Sequence, residues 1–380
     1  MLSYRHLYRR KVVVSEGRKN YTSYRFVDGY KIIAFVSLFI LPLVLSSCTA
    51  LQGGDPVVEA KKAIADADPF MGDWQGSWKL DDGSDSGSLV AQVIALGNDE
   101  YRVIFFRAFD MRQEPIAVLE GRREGKKVRF AGPGRAGDTD FEAKAVIEGE
   151  KLTGTFEGQY ESGSFILERV IRLSPTLGEK PPVDAIVLFD GTNFNHWKNT
   201  PSKKKPSYDS VQWKLLKGRA MEVKPRTCSI VTKKKFTDFK LHLEFRTPFM
   251  PEKRGQARGN SGVYLQGRYE VQILDSYTLE CKDNECGGIY KVGPPLVNMC
   301  APPMRWQTYD ITFRAPRLDG EVKKDAVVTV VHNGVTIHDE IKIPKPTGGA
   351  LDSNVTEPGG LYLQDHGNSV QFRNIWLVEL

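Results

Sequence analysis

Two short stretches of this 380-residue chain set proton-carrying and amide side chains at alternate positions. In Tyr269-Glu270-Val271-Gln272-Ile273-Leu274-Asp275, an extended backbone puts Glu270 and Gln272 on one face and Tyr269, Val271 and Ile273 on the other. In Gly360-Leu361-Tyr362-Leu363-Gln364-Asp365-His366-Gly367, Tyr362, Gln364 and His366 share a face in the same way. A carboxylate, an imidazole and two amides converging on one cleft could remove and return protons while holding hydroxyl groups. The preceding Gly259-Asn260-Ser261-Gly262-Val263-Tyr264-Leu265-Gln266 adds Asn260 and Tyr264 as hydroxyl-binding groups. The combination points to a sheet that faces carbohydrate.

Each of these residues also has a structural reading. Glu270 could be a general base, a metal ligand or a solvated strand residue. His366 could transfer protons or bond locally within a turn. Arg373, between Phe372 and Asn374, could polarise a ketone or form a buried pair with Asp365 or Asp275. Asn260 and Ser261 could bind hydroxyls or shape a turn. Trp306 could stack on a pyranose ring or fill the core. Glu270, Gln272, Asp275 and His366 together offer donors that would suit a hard divalent ion, although no spacing demands one. The chain has no phosphate loop, nucleophile elbow or metalloprotease helix.

The elements that must position these groups are strands. From Phe70 to about Leu173, apolar or alternating runs such as Ser88–Ile94, Tyr101–Phe105 and Leu152–Phe156 are separated by Gly/Asp/Asn turns. Strands at that spacing predict a small antiparallel barrel or meander over 70–174, an accessory domain without a catalytic cluster. Pro175–Pro182 reads as a semi-rigid linker over 175–183. Residues 184–380 form the second domain. Phe239–Arg246 alternates strictly, with Phe239, Leu241, Leu243 and Phe245 on one face. The β-branched run to His332, the pair Asn333-Gly334 and a return strand through Ile337 predict a hairpin. The fold class is therefore all-β, a jelly-roll-like antiparallel sandwich preceded by the smaller β domain.

At the front, the apolar run Ile32–Leu45 ends in Leu45-Ser46-Ser47-Cys48, the pattern of a lipoprotein signal peptide over 1–47 with Cys48 lipidated. Residues 48–69 would then be a tether, with a short helix over Glu59–Asp68, and the protein would sit in the cell envelope, attached to a membrane through Cys48. The leader changes the charge argument. The whole chain carries 53 Lys/Arg, 47 Asp/Glu and a net charge of +6, but eight of those basic and two of those acidic residues precede Cys48. The remainder is formally neutral, which removes the electrostatic basis for nucleic-acid binding. The cysteines beyond Cys48 (Cys228, Cys281, Cys286 and Cys300) could form disulfides or remain thiols. Cys281 and Cys286 bracket a short polar loop and are the expected pair.

Several motifs occur in one order along the second domain: Leu188-Phe189-Asp190-Gly191, Asn260-Ser261-Gly262, Tyr269–Asp275, Pro294–Asn298, Trp306–Ile311, His332-Asn333-Gly334, Gln364–Gly367 and Phe372–Ile375. Over residues 184–380 this set resembles the 3-keto-disaccharide hydrolase family, also described as 3-keto-glucoside 1,2-lyase/hydratase. The loop Thr278–Val292, which carries the cysteine pair, departs from the Gly/Ala-rich form expected there. The resemblance implies a concanavalin-like sandwich whose concave sheet holds an oxidised saccharide, supplied by an upstream sugar 3-dehydrogenase. The ketone of such a sugar acidifies the C2 hydrogen, so a base can remove it, the C1 glycosidic oxygen can leave, and water can add back. Glu270, His366 and Arg373 are then the expected catalytic residues. Asn260, Tyr264, Gln272, Asp275, Gln364 and Trp306 are the expected substrate-binding residues. A carbohydrate-binding protein without catalysis is the alternative, and a two-carboxylate glycoside hydrolase a weaker one.

Overall fold

Alternation of apolar and polar residues sets the first sheet. The computed structural model describes residues 55–200, 208–319 and 322–380; the leader and Cys48 lie outside them. Strands β1 (Gly72–Leu80), β2 (Ser86–Gly97), β3 (Glu100–Phe106), β4 (Ala117–Glu124), β5 (Lys127–Ala136), β6 (Thr139–Glu148), β7 (Lys151–Gly158) and β8 (Ser162–Val170) run up and down, and β8 pairs with β1 to close a barrel. Closure leaves no free sheet edge. Trp74, Val93, Val103, Leu119, Val128, Ile147, Leu152 and Leu167 pack its interior.

The remaining strands, in chain order, are β9 (Ile186–Phe189), β10 (Trp197–Asn199), β11 (Lys214–Leu216), β12 (Ala220–Glu222), β13 (Ile230–Thr232), β14 (Phe239–Arg246), β15 (Ser261–Leu265) and β16 (Tyr269–Ile273). They continue with β17 (Gln307–Arg314), β18 (Arg317–Asp319), β19 (Val322–Lys324), β20 (Ala326–His332), β21 (Val335–Ile343), β22 (Tyr362–Leu363) and β23 (Gln371–Glu379). One sheet has the order β10-β13-β22-β15-β16. The other has the order β11-β12-β23-β14-β17-β20-β21, with β9 beside β23. Between the sheets, Phe239, Leu241, Leu243 and Phe245 meet Val263, Leu265, Val271 and Ile273 in one apolar core. Asn333 and Gly334 take φ of 49° and 84° at the β20–β21 hairpin, the left-handed pair that a two-residue turn requires.

Two segments expected as spacers are packed structure. Helix α1 (Pro56–Ala67) is the short helix expected over Glu59–Asp68, begun three residues earlier, and it is packed rather than part of a loose tether: its Glu59 accepts from Trp306 Nε1 at 2.7 Å. The proline-rich stretch lies across the outer face of the β14/β17/β23 sheet. Thr176 Oγ1 donates to Asp310 at 2.7 Å, Gly178 N donates to Glu244 at 2.7 Å, and Asn374 donates to Glu179 O at 2.9 Å. This cover explains why the outward residues His242 and Glu244 of an alternating strand are nonetheless buried. The barrel also bonds the sandwich directly, Tyr277 donating to the buried Asp73 at 2.8 Å.

Cys281, Cys286 and Cys300 form no disulfide. Cys281 Sγ lies 3.1 Å from Pro295 O, and Cys286 Sγ lies 3.2 Å from the Tyr309 hydroxyl. The expected Cys281–Cys286 bridge is therefore corrected to two separate buried thiols, each turned to its own oxygen partner.

Candidate active site

Pairing of β15 with β16 decides what stands beside Glu270. Tyr264 is opposite Glu270, and Gly262 is opposite Gln272. A Cβ on Gly262 would stand 2.3 Å from Glu270 Oε1 and 2.9 Å from the Tyr264 ring, so only glycine leaves room for the carboxyl. On the other side of β15, β22 brings Tyr362 against Tyr264, their rings 4.6 Å apart. Gln364 Nε2 donates to the Tyr264 hydroxyl at 3.2 Å. Next to them, Asn260 Nδ2 donates to Gln256 Oε1 at 3.0 Å, and Gln272 Nε2 reaches the same oxygen at 3.2 Å. Tyr269, Val271 and Ile273 point into the core instead.

The group is roofed. Glu270 N donates to Thr347 Oγ1 at 2.9 Å, and the Tyr264 hydroxyl donates to Gly348 O at 3.0 Å. The 344–350 segment therefore crosses the Tyr264–Glu270 pair, and Glu270 is left only 5% exposed. Burial pushes its carboxyl up to about 7, with the Tyr264 hydroxyl drawing it down. Burial and the Glu270 charge push the Tyr264 hydroxyl up in turn, which keeps it protonated at neutral pH. A carboxyl poised near neutrality beside a permanent hydroxyl donor can exchange a proton with a substrate.

Other expected site residues lie elsewhere. Arg373 pairs with Glu244 across β23 and β14, its Nε 2.5 Å from the carboxylate, and its Nη1 lies 3.0 Å from Glu59. Its guanidinium stacks on Trp306 at 4.2 Å, and Arg246 approaches the same ring at 4.7 Å. Arg373 and Trp306 thus sit on the outer face of the opposite sheet, across the core from Glu270. Their expected place in one cleft is corrected: β23 turns Phe372 inward and Arg373 outward toward α1. Neither expected carboxylate partner, Asp365 or Asp275, is the one Arg373 uses.

Asp275 is 1% exposed and bonds Arg258 Nε at 2.6 Å, so it anchors the end of β16 rather than lining a cleft. Burial raises its carboxyl while Arg258 opposes the rise. His366 is exposed beyond β22, at the edge of the Tyr362–Gln364 row. The ligating atoms of Glu270, Asp275 and His366 are not gathered as a set for a metal ion. Among the described residues, the cluster with that geometry is Glu179, His242 and Asp310, beneath the 174–179 segment. Asp310 and Glu244 together push His242 up to about 9 against the effect of its burial. Asp310 Oδ1 lies 2.6 Å from His242 Nδ1, so those donors already satisfy one another.

Sequence reasoning missed Gly262, Gln256 and Thr347. The turn-forming run Pro346-Thr347-Gly348-Gly349 was the available signal for the roof, while the role of Gly262 needed the cross-strand register.

A structure of a candidate glycosyl hydrolase from Parabacteroides distasonis is 36% identical, over 52% of this chain and 85% of its own, with a TM-score of 0.46. A second candidate glycosyl hydrolase from the same organism is 20% identical, over 52% of this chain and 94% of its own, with a TM-score of 0.37. No curated protein matches the chain. A family profile described as the 3-keto-alpha-glucoside-1,2-lyase-like domain matches residues 184–378. Through that domain, the chain belongs to the 3-keto-alpha-glucoside-1,2-lyase-like family.

Proposed function

We propose that the chain is an exported, lipid-anchored enzyme that cleaves 3-keto-glycosides by elimination followed by hydration. The observation that carries this reading is the buried Glu270 carboxyl, held near pH 7 on the outer face of the β15/β16/β22 sheet among Tyr264, Gln272, Asn260 and Gln364. Ionised Glu270 takes the C2 proton of the keto-sugar, and the electron pair moves onto the C3 oxygen as an enolate. The Tyr264 hydroxyl, released from Gly348, donates to that oxygen. Collapse of the enolate breaks the C1–O bond, and the leaving oxygen takes a proton from His366 at the rim. His366, now neutral, takes one proton from the water whose oxygen adds to C1, and Glu270 returns its proton to C2, which restores both residues. Gln364 Oε1, buried without a protein partner, would accept from a sugar hydroxyl. Substrate admission requires the 344–350 roof to lift.

The substrate class implies an upstream reaction that oxidises a glycoside at C3. The apolar leader ending in Cys48 supports a location at the cell envelope. The test incubates the purified protein with a 3-keto-glucoside in deuterated water, with and without a chelator, and follows the products by mass spectrometry. Release of a keto-sugar carrying deuterium at C2 supports elimination. Intact substrate accompanied by calorimetric binding replaces the enzyme with a carbohydrate-binding protein. Loss of turnover with the chelator would add a metal to the scheme.

A further inference from the structure

The barrel contains a cavity of about 510 Å³ that the sandwich chemistry does not use. It opens at the end where the β1–β2, β3–β4, β5–β6 and β7–β8 connections lie, since its lining comes from those ends of the strands. The other half of the barrel is plugged by the packed aliphatic side chains and Trp74. An eight-stranded barrel has an interior that side chains can fill or that can hold one small ligand. Here the sequence selects the second outcome at one end.

The device is a set of cross-strand glycines. Trp78 faces Gly87, Phe141 faces Gly134, Phe165 faces Gly154 and Phe156 faces Gly163. A Cβ at any of these glycines would stand 2.2–2.8 Å from the facing ring. Each ring therefore lies down over its neighbour's backbone instead of standing into the lumen. The small Ala117 and Ala143 leave the centre open. Trp78, Phe141 and Phe156 face inward yet stay partly exposed, as lumen residues open to the solvent must.

We propose that this cavity binds one planar, apolar ring compound that carries hydroxyl groups at its outer edge. The rings present both edges and faces to the lumen: Trp78 meets Phe156 at 74°, and Phe105 meets Phe165 at 65°. Such walls accept a flat ring by offset or edge-on contact. At the mouth, Arg107, Glu161 and Thr139 supply both donors and acceptors, which suits hydroxyls better than a single charge. The volume lies in the usual range for a small-molecule site.

The test titrates the whole protein with 7-hydroxy-4-methylcoumarin by calorimetry, alongside dodecanoate. One coumarin per chain is expected, with affinity at least roughly tenfold weaker in Ala143→Phe, whose new ring fills the lumen. Ala117→Leu, on another strand, provides the same test should the first variant lose its melting transition. Glu270→Gln should leave this binding unchanged, which separates it from the sandwich reading. Absence of coumarin binding, binding unaffected by either filling variant, or tighter binding of dodecanoate would each overturn the proposal.

Discussion

Replacing Glu270 by Gln should make the protein more stable at alkaline pH while abolishing turnover. The carboxyl titrates at about 7 when folded and at 4.5 when free. Because the folded value is raised, the protonated carboxyl contributes its full stabilisation below pH 4.5, and that contribution is lost as the pH rises through 7. At 1.36 kcal/mol per pH unit, the loss is about 3 kcal/mol. The amide in Glu270→Gln would keep the shape of the neutral acid and escape the loss. Thermal unfolding of wild type and Glu270→Gln at pH 4.5 and pH 8.5 reads the difference. The variant's gain over wild type between those pH values should reach about 3 kcal/mol, or roughly 6–12 °C for a domain of this size. Comparing the two proteins cancels the other titrating groups. Parallel pH dependences would refute the claim that burial holds this carboxyl near neutrality, and with it the case for Glu270 as the base.

Gly262→Ala should lower turnover by roughly a hundredfold with a smaller effect on folding, because its Cβ would displace the Glu270 carboxyl from 2.3 Å away; steady-state kinetics beside a melting curve checks it. Arg373→Met should do the opposite, costing about 1.5–3 kcal/mol by removing one charged donor from the buried Glu244, which keeps His242, Asn374 and Gly178 N as partners, while kcat of the folded fraction stays within about twofold. A large fall in kcat without destabilisation would return Arg373 to the active site. His242, pushed up to about 9 from 6.5, stabilises fully below pH 6.5, and this contribution is lost as the pH rises through 9. His242→Asn should therefore flatten the fall in melting temperature between pH 7 and pH 10.

Local sequence determined much of this protein because strand periodicity is local. Alternation in Tyr269–Asp275 puts Glu270 and Gln272 on one face whatever the partner strand, and Asn333-Gly334 specifies a tight hairpin from two residues. Gly/Asp turns at short spacing likewise announced an antiparallel barrel or meander over 70–174, and the pairing of β8 with β1 made it the barrel. What periodicity cannot express is which sheet a strand joins. Tyr362–Gln364 and Phe372–Ile375 are neighbours in the chain, yet β22 enters one sheet and β23 the other, which carries Arg373 across the core from Glu270. Burial is also a property of the assembled chain. His242 and Glu244 lie on the outward face of β14 and are buried only because the 174–179 segment covers them, and Glu270, on the outward face of β16, is buried only because 344–350 roofs it. Residue order suffices for strand faces, the tight hairpin and the family motifs, because each is local; which faces meet and which are covered, and so which carboxyl is held near neutrality, arises only when the strands assemble.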